Sequence, residues 1–227
     1  MAAPLSPPPL ALASGSPRRQ AFLRAAGVEF SIHISGVNEE AHLQGAPAAV
    51  ALKTALAKAD VVAARLPKNS LILAADTMVV MDGRIFNKPA DRDEARWMLG
   101  RLAGRTHTVI TALALERAGG EALVDAVHTR VTFNPLAAPL IESYLASGEA
   151  DDKAGAYGIQ GLGAEFIAGV QGDLTGVIGL PLGRLRELFA QMTGCDLFAG
   201  KSLRQVALSA YPDLAALPPA CLEGIPD

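Results

Sequence analysis

The chain has 227 residues, 50% of them apolar, and its 20 basic against 23 acidic side chains give a net charge of −3. That length holds a proper core as one domain, or as a two-lobed one. The charge balance excludes the global basic field that captures nucleic acid or an anionic membrane, so any anion binding is local.

Residues 1–9 read as an N-terminal extension, proline-rich and without Lys or Arg before Arg18, unlike a secretory signal. No run approaches the roughly 18 apolar residues of a membrane span. Leu10 to Ala13 begins as a strand and breaks into Ser14-Gly15-Ser16-Pro17-Arg18-Arg19. Uncovered backbone N–H groups, a proline suited to the first helical position, the positive helix end and two guanidinium forks make this an anion site, most simply for a polyphosphate. The helix should run to Ala26 and end at Gly27. Glu29 to Ile34 reads as a short strand and Pro47 to Arg65 as a long alanine-rich helix carrying Lys53 and Lys58.

Leu71 to Met81 is the most strand-like segment, and Asp82-Gly83 turns it back into Arg84 to Phe86. Asp91 to Leu102 is a helix with Ala95, Met98, Leu99 and Leu102 inward. Thr106 to Glu116 and Glu121 to Phe133 are two strands joined at Ala118-Gly119-Gly120. A helix over Pro139 to Ala146, a glycine-dense stretch from Gly155 to Gly179 with one or two short strands, and an amphipathic helix over Pro181 to Thr193 complete a domain spanning residues 10–194. The alternation of strands and helices predicts an α/β or α+β fold. Residues 195–227, rich in proline, read as a C-terminal extension, an appendage that either packs or stays mobile.

Asp76 stands in the middle of an apolar strand, where an ionised carboxylate is costly unless paired or metal-bound. Lys88-Pro89 follows the hairpin, on a loop that returns an ammonium toward the same strand end; lysine suits a phosphate as a compact charge. Asn38-Glu39-Glu40 either flanks the long helix as an acidic surface or completes a divalent-metal site with Asp76. Hard oxygen ligands without paired histidines favour Mg²⁺ or Mn²⁺. His33, His42, His107 and His128 are scattered without zinc-type spacing and read as surface or packing residues, while Cys195 and Cys221 suit a reduced compartment. In Asp152-Lys153-Ala-Gly-Ala-Tyr157-Gly-Ile-Gln160-Gly-Leu-Gly163, glycines allow close backbone approach and the Gln160 amide can read a base edge by donating and accepting together. Lys58, a helix lysine, would ordinarily face solvent.

Taken together, Ala13 to Arg19, Ala75-Asp-Thr77, Lys88-Pro89, Asp152 to Gly161 and Gly179-Leu-Pro-Leu182 resemble the Maf family of nucleoside triphosphate pyrophosphatases, in order and approximate spacing, from about Leu10 to Gln191. The resemblance implies an elongated, two-lobed α/β fold, a mixed sheet with flanking helices similar to the inosine triphosphate pyrophosphatases. It implies cytoplasmic enzymes, homodimers by family expectation, that release pyrophosphate from a nucleoside triphosphate with a divalent cation. Asp76 matches the family's proton acceptor. Arg18, Thr77 and Gln160 match positions tied to substrate choice in the branch acting on dTTP and UTP. On this reading Asp76, Glu39 and Lys88 are catalytic, Asp76 and Glu39 hold Mg²⁺ or Mn²⁺, and Ser14, Ser16, Arg18, Arg19, Lys58, Thr77 and Gln160 bind substrate. Arg18, Arg19, Lys58 and Lys88 would neutralise the departing pyrophosphate. The alternatives are the same reaction on 7-methyl-GTP or another modified nucleotide, or a nucleotide-binding regulator of septum formation. The chain departs from the family at Asn38-Glu39, where Asp-Glu is usual, at Gly172-Asp-Leu-Thr-Gly176, and in its longer tail.

Overall fold

The computed structural model describes residues 10–39 and 45–226. Glu40, His42 and the extension over residues 1–9 lie outside the described residues. Seven strands form one mixed sheet: β1 (Leu10–Leu12), β2 (Phe30–Ile32), β3 (Leu71–Met81), β4 (Arg84–Phe86), β5 (Thr106–Arg117), β6 (Ala122–Phe133) and β7 (Ile167–Gln171). Their order is β2-β1-β3-β5-β6-β7, with β4 paired to β3. Around them lie α1 (Pro17–Ala25), α2 (Pro47–Ala63), α3 (Arg92–Leu102), α4 (Ala138–Ser147), α5 (Leu174–Ile178), α6 (Leu182–Thr193), α7 (Leu203–Ala210) and α8 (Pro219–Leu222). The expected mixed sheet with flanking helices is therefore present. Among the described residues no helix is long and apolar enough to cross a membrane.

Side chains alternate across β3 because a strand has period two. Leu71, Leu73, Ala75 and Val79 enter the larger core with Phe22 and Leu23 of α1, Leu99 of α3 and Phe189 of α6. Ile72, Ala74 and Met78 enter a smaller core under α2, against Val50, Ala51, Ala55, Ala59 and Val62. The small side chains of α2 meet Ala74, Ala112 and Ala114, so helix and sheet approach closely. Each large core side chain contributes about 1.5–3 kcal/mol by leaving water.

The register of β3 opens the molecule. On one edge β5 pairs antiparallel from Leu71 to Val80. The other edge is shared, by β1 parallel to Leu71–Leu73 and by β4 antiparallel to Val79–Met81. Between these, Ala74 to Met78 have no strand partner on that edge among the described residues. There the chain has left β1 for Ser14-Gly15-Ser16 and α1. A sheet that splits in this way leaves a crevice, as at a switch point of an α/β fold, and Asp76 lies in the middle of it.

One segment departs from the sequence reading and two take one of the forms it allowed. β2 is shorter than Glu29 to Ile34. The stretch from Gly155 to Gly179 holds one strand, β7, with 3₁₀ turns at Ala154–Ala156 and Gly161–Phe166 and the short α5. Residues 195–226 are packed: Phe198, Leu203, Val206, Leu214, Cys221 and Ile225 are buried in the larger core. Their prolines start elements instead of preventing them, Pro212 opening the 3₁₀ turn Pro212–Ala216 and Pro219 opening α8, where a missing N–H costs nothing.

His107 of β5 is buried among rings, edge-on to Phe133 and Tyr157, with Nε2 2.7 Å from the Tyr157 hydroxyl and Nδ1 without a partner. Burial lowers its pKa from 6.5 to about 4. As pH falls from 6.5 toward 4 the unfolded chain takes up a proton at this site that the folded chain refuses, so stability falls with pH and is retained above 6.5. The shift corresponds to about 3 kcal/mol at its limit. The thermal midpoint should drop between pH 7 and pH 4.5 in the native chain and drop less in His107→Gln. Parallel curves for the two proteins would show that the imidazole is not responsible.

Candidate active site

Asp76 points to the α2 side of β3, and from α2 the Lys58 ammonium meets it. Lys58 Nζ lies 2.7 Å from Asp76 Oδ1 and 2.7 Å from Glu39 Oε1. Lys58 and Asp76 are 6% and 4% exposed, whereas Glu39 is half exposed. The expectation that a helix lysine faces solvent is overturned. Lys58 falls on the inward stripe with Ala51, Thr54, Ala55 and Val62, at three- and four-residue spacing, so the helical period of a run rich in small residues already carried that signal. Burial pushes the Glu39 carboxyl up, but the Lys58 ammonium and its hydrogen bond, with Lys88 and Arg19 further off, outweigh it and hold the group below the usual carboxylate range.

Thr77 points to the other side of β3, toward α1. Here Arg19 is buried and its guanidinium donates from Nε to the Gly179 carbonyl (2.9 Å), from Nη1 to Ser14 Oγ (2.9 Å) and from Nη2 to Thr77 Oγ1 (3.3 Å). Burial lowers its pKa to about 10, against the pull of Asp76, and it stays charged at neutral pH. Arg19, which the sequence reading assigns to neutralising a departing pyrophosphate, is fastened by these bonds to the Ser14–Ser16 loop, to β3 and to the loop before α6, so its charge acts from within the wall. Ser14 Oγ also accepts the Ser16 N–H at 3.2 Å, which curls the loop back on itself. Behind Thr77, the Thr111 hydroxyl sits 3.0 Å from Thr77 Oγ1 and donates to the Gly176 carbonyl at 2.7 Å. Sequence reasoning missed Thr111, although a hydroxyl inside the apolar run of β5 is the same kind of signal as Asp76.

The far wall is the glycine-dense segment. Gly155 has φ of 69° and its N–H donates to the Asn87 carbonyl at 3.1 Å; a side chain there would strike Val79, 2.9 Å from its Cγ2. Only glycine lets this loop lie against β3 while tying it to the residue before Lys88. Asp152 Oδ2 accepts from Arg18 Nη1 at 2.8 Å, and its Oδ1 accepts from Lys153 Nζ at 2.7 Å. Burial raises the Asp152 carboxyl, and the hydrogen bonds from Lys153 and Arg18 overcome this to lower it. Asp152 and Lys153 stand at the head of the motif but were not singled out as site residues; a charged pair opening a glycine run was the available signal.

These walls enclose a cleft of about 540 Å³. Ser14, Ser16, Arg18, Arg19, Glu39, Lys58, Asp76, Thr77, Lys88 and Gln160 all line it, so these ten candidates drawn from the sequence face one space. Among the described residues there is no cluster of three or more His, Cys, Asp or Glu able to hold a metal by itself. Two carboxylates converging on one ammonium, Asp76 and Glu39, nonetheless fit Mg²⁺ or Mn²⁺, which are commonly held by one or two carboxylates with the rest of the shell from phosphate and water.

A family model described as Maf-like protein matches residues 9–192. Of the curated relatives, the dTTP/UTP pyrophosphatase of Symbiobacterium thermophilum is 48% identical over 191 residues, covering 84% of this chain and 97% of that protein. The dTTP/UTP pyrophosphatase of Moorella thermoacetica is also 48% identical over 191 residues, covering 83% and 97%. That of Escherichia coli O157:H7 is 43% identical over 182 residues, covering 80% and 91%. Among solved structures, the Staphylococcus aureus Ham1 protein aligns with a TM-score of 0.42 at 15% identity, over 70% of this chain and 79% of that one.

The buried ion pair yields a stability prediction. Removing one partner leaves an uncompensated charge, at a cost of about 3–5 kcal/mol, whereas removing both charges is far milder. In urea unfolding, Lys58→Met should lose about 3 kcal/mol, and the double variant Lys58→Met/Asp76→Asn should recover more than half of that loss. Additive losses would mean that the two groups are not coupled.

Proposed function

The chain belongs to the Maf-like protein family, and on that premise we propose that it hydrolyses dTTP and UTP to the nucleoside monophosphate and pyrophosphate. The observation that carries the reading is the Asp76 carboxylate, fixed by Lys58 at 2.7 Å in the gap of the sheet, at the floor of a cleft bordered by Arg18, Lys88 and the N-terminal end of α1. The family relatives named dTTP/UTP pyrophosphatases support it.

In this mechanism Asp76 orients a water against the α-phosphorus and takes its proton. The new bond is from the water oxygen to that phosphorus, the bond that breaks joins it to the bridging oxygen of the β-phosphate, and pyrophosphate leaves with the bridging oxygen. A positioned base of this kind contributes about 10²–10⁴-fold. Lys58 keeps the carboxylate in place, and Glu39 balances the second side of the ammonium. Arg18 and Lys88 meet the charge of the phosphate chain, helped by the uncovered N–H groups of the loop before α1. Gln160 reads the pyrimidine edge from the far wall. Asp76 and Glu39 would hold a divalent cation, whose charge would help neutralise the phosphate chain. The reading carries with it a cytoplasmic location and a homodimer.

Purified protein given a panel of triphosphates with Mg²⁺ or Mn²⁺ should release pyrophosphate from dTTP and UTP, and a chelator should stop it. Asp76→Asn should lower kcat/KM by about 10³-fold. Orthophosphate as the product would reject the proposed bond, and saturable binding without turnover would favour a nucleotide-binding regulator.

A further inference from the structure

The family match stops at residue 192, yet the helices beyond it reach both walls of the cleft. The Tyr211 ring packs edge-on against Phe22 of α1 with centroids 5.3 Å apart, and its hydroxyl donates to the Arg18 carbonyl at 3.2 Å. Burial pushes that hydroxyl up to about 12, so it remains a donor at neutral pH. Two residues on, Asp213 Oδ2 accepts from the Gly161 N–H at 2.5 Å. One turn of the extension therefore grips the helix that presents Arg18 and the peptide that follows Gln160. The extension is itself anchored, Lys201 Nζ donating to the Ala26 carbonyl at 2.6 Å and Leu214 being fully buried.

The grip on Gly161 falls at a sensitive joint. Gly161 has φ of 71°, and the next N–H, of Leu162, donates to Glu149 Oε1 at 3.3 Å. Two carboxylates thus hold two successive peptides directly after Gln160, one from the catalytic domain and one from the extension. An amide free to turn over can meet the uracil or thymine edge, which accepts at O4, and equally the cytosine edge, which donates from N4. Selection requires the amide to be presented at one place, and holding the peptide plane after it fixes the point and direction from which the Gln160 side chain reaches the base.

We infer that Asp213, with Tyr211, is a positioning residue of the C-terminal extension that fixes the Gln160 turn against Arg18 and thereby sharpens selection of the uracil and thymine edge. This rests on the pyrophosphatase reading above. Gly161 and Asp213 are both exposed, so water replaces the lost bond and the fold is scarcely affected; the effect falls on the arrangement of the turn.

The test compares Asp213→Ala, which removes the acceptor, with Asp213→Asn, which keeps one oxygen able to accept. For Asp213→Ala, KM for dTTP and UTP should rise about five- to tenfold with kcat little changed, and preference for dTTP over dCTP should fall by a similar factor. Inhibition by pyrophosphate alone and the thermal midpoint should stay as in the native chain, and Asp213→Asn should restore most of the preference. An unchanged preference in Asp213→Ala, equal damage in both variants, or pyrophosphate inhibition that weakens in step with KM would overturn the inference. If the native chain does not turn over dTTP, the functional reading fails on its own. The same variants, compared by titration calorimetry with a non-hydrolysable dTTP analogue, then decide the positioning role.

Discussion

A carboxylate buried in a sheet is the constraint from which the rest of this structure follows. Asp76, 4% exposed, sits among Ala74, Ala75 and Met78, where an unpaired charge would cost several kcal/mol. The chain answers with a lysine from the helix that covers that face, and the answer dictates the helix. α2 must lie close enough for an ammonium to reach β3, so its inward residues are Ala51, Ala55 and Ala59, and so are Ala112 and Ala114 of the strand beyond. The alanine-rich packing and the ion pair are two aspects of one distance.

The period of the strand then divides the work between neighbours. Asp76 and Thr77 are adjacent in sequence and project to opposite faces, the first to α2 and Glu39, the second to Arg19 and the Ser14–Ser16 loop. Because β1 and β4 share one edge of β3 and leave Ala74 to Met78 between them, both faces communicate with a single opening. A continuous strand partner there would have closed the cleft. The same two residues placed four positions along β3 in either direction would lie beside a paired strand.

Much of this was legible in the chain. β3, its Asp82-Gly83 hairpin and the inward stripe of α3 follow from simple alternation, turn chemistry and helical spacing, and they appear where those rules put them. Pro17 marks the start of α1. Asp76 announced itself because a charge interrupting an apolar strand is rare. Other features were hidden for physical reasons. Lys58 stands among the site residues of the sequence reading against the ordinary preference of its type for solvent, and its place on the inward stripe of the helix is the signal that favours the interior. Arg19 was read by its charge, while its bonds to Ser14, Thr77 and Gly179 depend on elements far apart in sequence. The helices after Gly194 are short, eight residues in α7 and four in α8, too brief for periodicity to outweigh their prolines, and they exist through tertiary packing.

The cations of the cleft consequently fall into two kinds, and the difference is one of solvent. Lys58 is held between carboxylates inside the protein, and Arg19 is bonded to two hydroxyls and a carbonyl in the wall. Displacing either exposes a buried partner, so both act as fixed charge. Arg18 is paired to Asp152 where the carboxylate is 57% exposed. Such pairs are worth about 0–1 kcal/mol, because water solvates each partner nearly as well as the other does. An incoming polyanion can therefore take Arg18 from Asp152 at little cost, leaving that carboxylate to water and to Lys153 at 2.7 Å. On the proposed reading the cleft keeps its positive potential through buried groups that do not move and meets its ligand through Arg18, a partly exposed group that exchanges. A single arginine or lysine placed between these extremes of burial would do neither as well.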